Sequence, residues 1–278
     1  MTEGFALAPG VAVGGDSFPV IAGPCLAESE ELLGAVAREL AAISRRLALP
    51  IVLKASFDKA NRSVAGAARG PGLESGLAWL ATVGRETGLP LLTDVHEPWQ
   101  CEKAAAVCDV LQIPAFLCRQ TDLVDAAART GRAVNVKKGQ FMAPDDMRRI
   151  CDKVRAAGNE RVFVTERGAS FGYHNLVVDM RSFALLHRDG IPCVYDVTHS
   201  LQLPGAAADG SGGQREFAEP LALAAVAAGA DGLFLEVHPD PAQALSDRET
   251  QLLPERAERL LAAALAVRRT VRAAGGPG

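Results

Sequence analysis

Long apolar runs are missing from this 278-residue chain. No stretch approaches the roughly 20 uninterrupted apolar residues that a membrane-spanning helix needs. The N-terminal segment MTEGFALAPGVAVGG also lacks the basic start that is typical of a secretory signal. We therefore expect a cytoplasmic protein with no membrane partner.

A basic excess is missing as well. The chain has 29 Lys and Arg against 33 Asp and Glu, which gives a formal net charge of -4. Proteins that bind nucleic acid usually carry a strong positive excess, because they neutralise the phosphates of a backbone. The composition argues against nucleic acid as a partner, and any anionic ligand must meet a local cluster of basic residues.

The cysteines show no pairing pattern. Six are spread along the chain without a C-x-x-C pair, at Cys25, Cys101, Cys108, Cys118, Cys151 and Cys193. In a reducing compartment this spacing argues against disulfides, and most of these side chains are expected to be small buried apolar groups. Cys25 differs because it ends a predicted strand.

What the chain does contain is a regular alternation of short apolar runs and Ala/Leu-rich stretches with helical spacing. Hydrophobic residues make up 49% of the sequence, enough for a large core. Strands are predicted at 20–25, 50–56, 90–95, 109–115, 133–138, 161–166, 192–198 and 231–238. Helices are predicted at 28–46, 72–87, 98–106, 121–130, 145–157, 177–188, 219–229 and 254–274.

This alternation predicts the fold class. Strands that read as nearly continuous apolar runs are typical of a parallel sheet covered on both faces, and eight βα units close naturally into a (β/α)8 TIM barrel. We predict an α/β protein with one such domain over residues 1–278; an open doubly wound sheet is the alternative. The segment FALAPGVAVGG before the first strand is predicted to form a short hairpin that closes the barrel floor.

Ionisable side chains gather at the carboxyl ends of the predicted strands, where TIM-barrel enzymes place their chemistry. Four cations, Lys54, Lys59, Lys137 and Arg167, would converge on one cleft of an otherwise acidic protein. Their mutual repulsion calls for an anionic partner, and a phosphate ester that bears a carboxylate is the simplest candidate. For any single position, an ordinary polar strand end is an equally good interpretation.

A second set of side chains indicates a metal site. A set of four, which comes from the first, seventh and eighth predicted strands and the loops after them, consists of Cys25, His199, Glu236 and Asp247. These three strands are neighbours in a closed barrel. Thiolate, imidazole and carboxylate suit zinc, iron(II), manganese or cobalt. The long spacing makes this pattern weak on its own, because a lone cysteine is more often a buried apolar residue and a lone histidine is as often an ordinary loop residue.

Glycine marks two segments where mobile backbone is expected. RGASFGY (167–173) follows the sixth predicted strand, and LPGAAADGSGGQREF (203–217) follows the seventh. The second segment has no periodicity and directly follows His199, so we predict a functional lid there. A merely disordered loop is the alternative.

Longer motifs carry a resemblance to a known family. The string KASFDKANRS (54–63) resembles the substrate-binding signature of the 3-deoxy-D-manno-octulosonate 8-phosphate synthases. Further matches follow in family order: AGPC (22–25), RGPGLE (69–74), TDVHEP (93–98), LQIPAFLCRQTDL (111–123), NVKKGQF (135–141), RGASFGYHNLVVDM (167–180), DVTHSLQ (196–202) and EVHPDP (236–241). In NVKKGQF, Gly139 stands where many relatives have proline.

The resemblance implies a (β/α)8 barrel, usually a homotetramer, that condenses phosphoenolpyruvate with arabinose 5-phosphate for lipopolysaccharide synthesis. It implies that phosphoenolpyruvate is held by Lys54, Ser56, Lys59, Gln112, Lys137 and Arg167. It implies that the sugar phosphate is held by Asn61, Arg62 and Ser63, with Arg119 reaching across a subunit boundary. The residues expected to be catalytic are Lys54, Lys59, Asp94, His199 and Asp247.

The resemblance also bears on the metal. One branch of the family needs a divalent metal, and the other carries Asn where this chain has Cys25. The segment ALSDRETQL (244–252) resembles the metal-dependent branch around Asp247. The resemblance therefore implies the ligand set Cys25, His199, Glu236 and Asp247, while leaving open whether the metal acts on water or on the aldehyde.

Two alternatives stay open at this point. Heptulosonate-phosphate synthases carry Lys-Pro-Arg-Thr where this chain has Lys-Ala-Asn-Arg-Ser (59–63), which favours the five-carbon sugar phosphate without excluding a heptulosonate-type or sialic-acid-type synthase. Because a fold does not imply an activity, the chain could also be a barrel that binds metal or sugar phosphate without catalysis.

Overall fold

A computed structural model describes residues 2–60, 66–207 and 210–276 of the chain. In chain order the strands are β1 (Phe5–Ala8), β2 (Val11–Val13), β3 (Val20–Gly23), β4 (Ile51–Lys54), β5 (Leu91–Asp94), β6 (Val110–Ile113), β7 (Ala133–Lys137), β8 (Val162–Glu166), β9 (Ala169–Ser170), β10 (Leu176–Val177), β11 (Cys193–Asp196), β12 (Gln202–Ala207), β13 (Gly210–Gly213) and β14 (Gly232–Glu236). The helices are α1 (Glu30–Leu47), α2 (Leu73–Thr87), α3 (Gln100–Ala105), α4 (Thr121–Arg129), α5 (Met147–Ala156), α6 (Arg181–Arg188), α7 (Ala218–Ala227) and α8 (Pro254–Ala273).

Eight of these strands form a closed parallel barrel. The order around the barrel is β3, β4, β5, β6, β7, β8, β11 and β14, and β14 pairs with β3 to complete the circle. Each barrel strand is buried along its whole length, because helices cover the outside and side chains fill the inside. The predicted (β/α)8 barrel is confirmed, and the alternative of an open doubly wound sheet is wrong.

Cap chemistry explains where several helices begin and end. Ser29 caps α1 by accepting a hydrogen bond from the backbone N–H of Leu32, and acidic residues occupy the first turn. The same helix ends at Leu47, and the residue after it, Ala48, adopts a left-handed conformation with φ 48°. Helix α8 begins with Pro254, which needs no N–H partner at that position.

A hairpin of β1 and β2 closes the amino end of the barrel. Its two strands are antiparallel, and Gly10 in the turn has φ 77°, a conformation that suits glycine. Leu7, Val11 and Val13 belong to one buried cluster with inward-facing residues of the barrel strands, among them Phe163. The predicted hairpin at the barrel floor is confirmed.

Shortening a side chain of this hairpin is expected to destabilise the barrel. Leu7 is 2% exposed, so Leu7→Ala leaves a cavity and should lower the free energy of unfolding by about 2–5 kcal/mol. Urea unfolding followed by circular dichroism measures the change. Ala6→Ser, on the exposed face of the same strand, is the control. Equal stabilities of the two variants would contradict the packing role of the hairpin.

Each glycine-rich segment takes part in an antiparallel pair of strands. Strands β9 and β10 form an antiparallel pair after β8, and β12 and β13 form another after β11. The sequence pattern did not predict the second pair, which lies largely within 203–217. Glycine and alanine carry no alternating apolar pattern, so the hairpin leaves little trace in the sequence. Whether this hairpin moves as a lid stays a prediction.

Within the described part of the chain, no helix combines the length and the apolar character needed to cross a membrane. All six cysteines are free and buried, as expected from their spacing.

Candidate metal centre and anion-binding site

Four predicted metal ligands converge at the carboxyl end of the barrel. One donor atom from each of Cys25, His199, Glu236 and Asp247 lies within 4.8 Å of the others. The Cys25 thiol donates to Asp247 Oδ2 at 2.9 Å, and His199 Nε2 lies 3.3 Å from Glu236 Oε1. Strands β11, β14 and β3 are neighbours in the barrel, which is why residues so distant in sequence meet.

The cluster fits a divalent cation. Cys25 and Glu236 are fully buried, and Glu236 Oε2 has no hydrogen-bond partner among the described residues. An unpartnered buried carboxylate oxygen is costly unless a cation meets it. Asp247 has φ 51°, a left-handed conformation that costs non-glycine residues energy and that is common at functional sites. The donor set of thiolate, imidazole and carboxylates suits a metal of borderline softness.

The ionisation of the cluster follows from its burial and its neighbours. Burial raises the pKa of the Cys25 thiol well above its usual range, and the charges of Asp247 and Glu236 raise it further. Burial also disfavours the Glu236 carboxylate, but His199 and Lys54 together outweigh this and hold its pKa well below the usual range. Without a metal, the carboxylates are therefore ionised near neutral pH while the thiol keeps its proton.

Metal affinity is expected to fall in acid. A metal must displace the thiol proton of Cys25, whose pKa is raised by burial, so below that pKa the affinity should drop about tenfold for each pH unit. Competition with a chromophoric chelator between about pH 7 and pH 8.5 measures the slope. Cys25→Ala should bind more weakly and lose most of the slope. An affinity of the native chain that does not change with pH would contradict the thiolate ligand.

Lys54 joins this cluster to a group of cations. It is the last residue of β4, and its side chain is 1% exposed. Its ammonium donates to Glu236 Oε1 at 2.8 Å and to the carbonyl oxygen of Cys25 at 2.9 Å. One buried charge therefore contacts two of the four ligand residues.

The other three cations lie at the same end of the barrel. Lys59 donates to the Ser56 hydroxyl at 2.8 Å. The Lys137 ammonium contacts Asp196 and lies 3.6 Å from the centroid of the Phe234 ring. Arg167 donates to the carbonyl oxygen of His199 at 3.0 Å. The structure therefore brings the four predicted cations to the same end of the barrel.

We expected an anionic ligand to offset the mutual repulsion of the four cations, and this expectation was incomplete. Protein carboxylates already pair with two of the cations, Lys54 with Glu236 and Lys137 with Asp196. These pairs join strands that are distant in sequence, so charge counting along the chain could not reveal them. Arg167 has spare donor capacity, because its buried Nε has no hydrogen-bond partner within the described ranges.

Two further predicted residues present unused acceptors. Asp94 ends β5 and is paired in register with Gln112 on β6. Asp94 Oδ1 and Gln112 Oε1 are buried and have no hydrogen-bond partner in the described part of the chain. Burial disfavours the Asp94 carboxylate, but hydrogen bonding to His96 and the charge of Lys59 hold its pKa well below the usual range. These oxygens can accept hydrogen bonds from a polar ligand.

The remaining predicted residues are not part of this described cluster. Arg119 is exposed in the segment between β6 and α4, where its carbonyl oxygen accepts a hydrogen bond from Lys153. Asn61, Arg62 and Ser63 lie outside the described residues.

Sequence patterns missed three residues that hold the site together. Asp196 contacts Lys137 and His199, Gln202 bridges Arg167 and Asp247, and Gln251 accepts from the backbone N–H of Cys25. Only Asp196 left a usable signal. A metal-binding histidine usually donates its second ring N–H to a carboxylate, and Asp196 lies three residues before His199.

Comparison with known proteins agrees with this geometry. A sequence model of the DAHP synthetase I family matches residues 4–272. The chain belongs to this family. The family match spans both the metal cluster and the cations. Together with the relatives described next, it confirms the resemblance that the motifs carry.

Several relatives within the family are similar to the chain over most of its length. A protein from Trichlorobacter lovleyi named 2-dehydro-3-deoxyphosphooctonate aldolase is 58% identical over 84% of this chain and 86% of its own. A protein of the same name from Syntrophotalea carbinolica is 54% identical over 91% of this chain and 92% of its own. Another from Alkalilimnicola ehrlichii is 53% identical over 92% of this chain and 92% of its own.

Proposed function

We propose that the chain condenses phosphoenolpyruvate with D-arabinose 5-phosphate and water, giving 3-deoxy-D-manno-octulosonate 8-phosphate and phosphate for lipopolysaccharide synthesis. One observation carries the proposal. The four-ligand cluster and the four cations lie at the same end of the barrel, and one of the cations, Lys54, donates hydrogen bonds to Cys25 and Glu236 of the cluster. The name that the relatives at 53–58% identity carry favours an octulosonate product over a heptulosonate or a sialic acid.

We assign phosphoenolpyruvate to the cationic part of the mouth. The residues proposed to hold its carboxylate and phosphate are Lys54, Ser56, Lys59, Gln112, Lys137 and Arg167. Buried cations that are already ordered stabilise negative charge without a cost of reorganisation. Arg167 supports this assignment most directly. Its planar guanidinium suits bidentate contact with phosphate, and its Nε has no hydrogen-bond partner among the residues that the structure describes.

We assign the sugar phosphate to Asn61, Arg62 and Ser63, which follow Lys59 along the chain. Arg62 suits a bidentate contact with the phosphate. Asp94, whose Oδ1 has no hydrogen-bond partner within the described ranges, is assigned to the side of the acceptor aldehyde.

The reaction forms a carbon–carbon bond between C3 of phosphoenolpyruvate and the aldehyde carbon of the sugar. The carbonyl electron pair moves to the aldehyde oxygen, which takes a proton. Water adds at C2, and phosphate then leaves as its bond to C2 breaks. Lys54 and Lys59 are placed to stabilise the negative charge, and His199 and Asp247 are assigned to assist proton movement.

We propose that Cys25, His199, Glu236 and Asp247 hold a divalent ion, which is zinc, iron(II), manganese or cobalt. When bound, the ion would supply Lewis acidity, either to the aldehyde or to the attacking water. The chain's own part is to keep the carboxylates of Glu236 and Asp247 ionised and to bury Cys25 and Glu236.

We further propose a cytoplasmic, single-domain protein that assembles as a homotetramer. Phe116, Phe141, Phe171 and Tyr173 are exposed on the segments after β6, β7 and β8, three neighbouring strands. Exposed aromatic side chains grouped in this way are typical of an interface between subunits. Arg119 lies three residues after Phe116, which supports its assignment to a neighbouring subunit's site. Sedimentation velocity of the native chain and of Phe116→Ser tests the assembly.

Phosphate release and product mass test the activity. The native chain, supplied with a divalent metal and phosphoenolpyruvate, should release phosphate with arabinose 5-phosphate much faster than with erythrose 4-phosphate. A preference for erythrose 4-phosphate would establish the heptulosonate alternative. Tight binding of metal and of both substrates without phosphate release would establish a non-catalytic barrel.

A further inference from the structure

Asp196 lies between the metal cluster and the anion site. It is the last residue of β11 and is fully buried. Its Oδ2 contacts the Lys137 ammonium and lies 2.9 Å from His199 Nδ1. Its Oδ1 accepts the backbone N–H of His199 at 2.9 Å. One carboxylate therefore binds a cation of the anion site and a ligand of the metal cluster.

The contact with His199 selects one tautomer of the imidazole. A ring nitrogen that ligates a metal must present a lone pair, so the ligating form of His199 is the neutral imidazole. An ionised carboxylate can only accept, so in this form Nδ1 carries the proton that it donates to Asp196, and Lys137 Nζ, 3.2 Å from the same nitrogen, donates to the carboxylate. The lone pair is then on Nε2, which lies 3.3 Å from Glu236 Oε1 and 3.8 Å from Asp247 Oδ2. Asp196 thus points the ligating nitrogen of His199 into the cluster.

The contact with Lys137 has the opposite effect on an anionic ligand. Asp196 neutralises much of the charge of Lys137, so phosphoenolpyruvate must compete with a buried carboxylate for this ammonium. When His199 donates more strongly to Asp196, less of the carboxylate charge is available to Lys137. A metal held by His199 would make the Nδ1 proton more acidic and so would strengthen that donation.

We propose that Asp196 is a positioning residue that couples the metal cluster to the anion site, by sharing one carboxylate charge between His199 and Lys137. The proposal rests on the proposed assignment of phosphoenolpyruvate to Lys137. Binding of a divalent metal and binding of phosphoenolpyruvate then favour each other. The coupling is reciprocal, because both orders of binding reach the same complex.

Two titrations of the Asp196→Asn variant test this, with cobalt(II) as the metal probe. Absorbance of the cobalt–thiolate band reports metal binding, and calorimetry reports phosphoenolpyruvate binding with and without cobalt(II). We expect the variant to bind cobalt(II) about 10- to 100-fold more weakly than the native chain. We expect the metal-free variant to bind phosphoenolpyruvate at least as tightly as the metal-free native chain, because the competing charge is gone.

The coupling itself is the decisive readout. In the native chain, saturating cobalt(II) should tighten phosphoenolpyruvate binding by about 5- to 150-fold, a typical range for coupled sites. In Asp196→Asn this factor should shrink at least about fivefold. If Asp196→Asn bound both cobalt(II) and phosphoenolpyruvate more weakly but kept the native coupling factor, Asp196 would have a merely structural role. That result would overturn the proposal. An unchanged affinity for cobalt(II) would overturn it as well.

Asp231→Asn is a matched control. Asp231 is also buried and also pairs with a histidine, His187 at 2.8 Å, but it lies just before β14 at the opposite end of the barrel. The same substitution there should leave both affinities and the coupling factor at native values. A change in the coupling factor of this variant would count against Asp196 as the specific link.

Lys137→Met tests the other arm and does not depend on how well Asp196→Asn folds. With Lys137 removed, Asp196 should still orient His199, so cobalt(II) affinity should stay within about threefold of native. The effect of cobalt(II) on phosphoenolpyruvate binding should nevertheless shrink. Loss of cobalt(II) affinity in this variant would overturn the proposed division of roles.

These titrations need no turnover, so they separate the two proposals. A native chain that shows coupled binding but no phosphate release would contradict the proposed activity and leave the role of Asp196 standing. The opposite result is a native chain that releases phosphate and whose coupling factor is the same in the Asp196→Asn variant. It would contradict the role of Asp196 and leave the proposed activity standing.

Discussion

Replacing Lys54 by methionine is expected to lower kcat/KM for phosphoenolpyruvate by about 10²- to 10³-fold, the usual cost of removing one ordered group that stabilises developing charge. The same change leaves Glu236 buried without its partner at 2.8 Å. Breaking a buried ion pair from one side costs about 3–5 kcal/mol. Steady-state kinetics and urea unfolding at a saturating metal concentration measure the two effects.

Lys103→Met is the control for Lys54→Met. Lys103 is half exposed and pairs with Glu74 on the surface, so its loss should change stability by no more than about 0.5 kcal/mol. Its kinetics should match those of the native chain. If Lys54→Met kept kcat/KM within about twofold of the control, Lys54 would have no part in the reaction.

Removing the metal is expected to have a comparably large effect. Lewis acidity contributes several kcal/mol to such reactions, so complete chelation should lower activity by at least about 100-fold. Add-back of zinc, iron(II), manganese or cobalt should restore it. Full activity of the native chain after metal removal, checked by elemental analysis, would contradict the metal centre.

Cys25→Asn makes this experiment sharper. The family resemblance implies that asparagine at this position belongs to the metal-free branch, so the variant should keep an activity that chelation does not change. Cys101→Ser is the matched control, because Cys101 is buried in α3 and is not among the ligand residues. Its response to chelation should equal that of the native chain. A Cys25→Asn variant as sensitive to chelation as native would contradict the role of the thiolate.

The barrel could be predicted because its signal is local. Each strand reads as a buried apolar run of four or five residues in the structure, and each is followed by a helical pattern, so no long-range information is needed to count eight units. The hairpin of β12 and β13 could not be predicted in this way. Its glycine and alanine residues pair through the backbone, which leaves no side-chain pattern to detect.

The metal cluster was predictable only as a set of candidates. Cys25 and Asp247 are 222 positions apart, and their contact at 2.9 Å depends on the closure of β14 against β3. The partners of the cations were harder still, because Asp196 and Glu236 occupy strand ends where any polar residue would be unremarkable. A strand pattern shows which residues reach the barrel mouth, but it does not show which of them pair.

For this protein, the order of apolar and helical segments determined the class of fold, and the motif strings determined the family, because both depend on residues close together in the chain. Only the tertiary structure decided that Lys54 bridges Cys25 and Glu236 and that Asp196 contacts both His199 and Lys137. Those contacts join strands brought together by barrel closure, and their strength depends on burial, which no local pattern specifies.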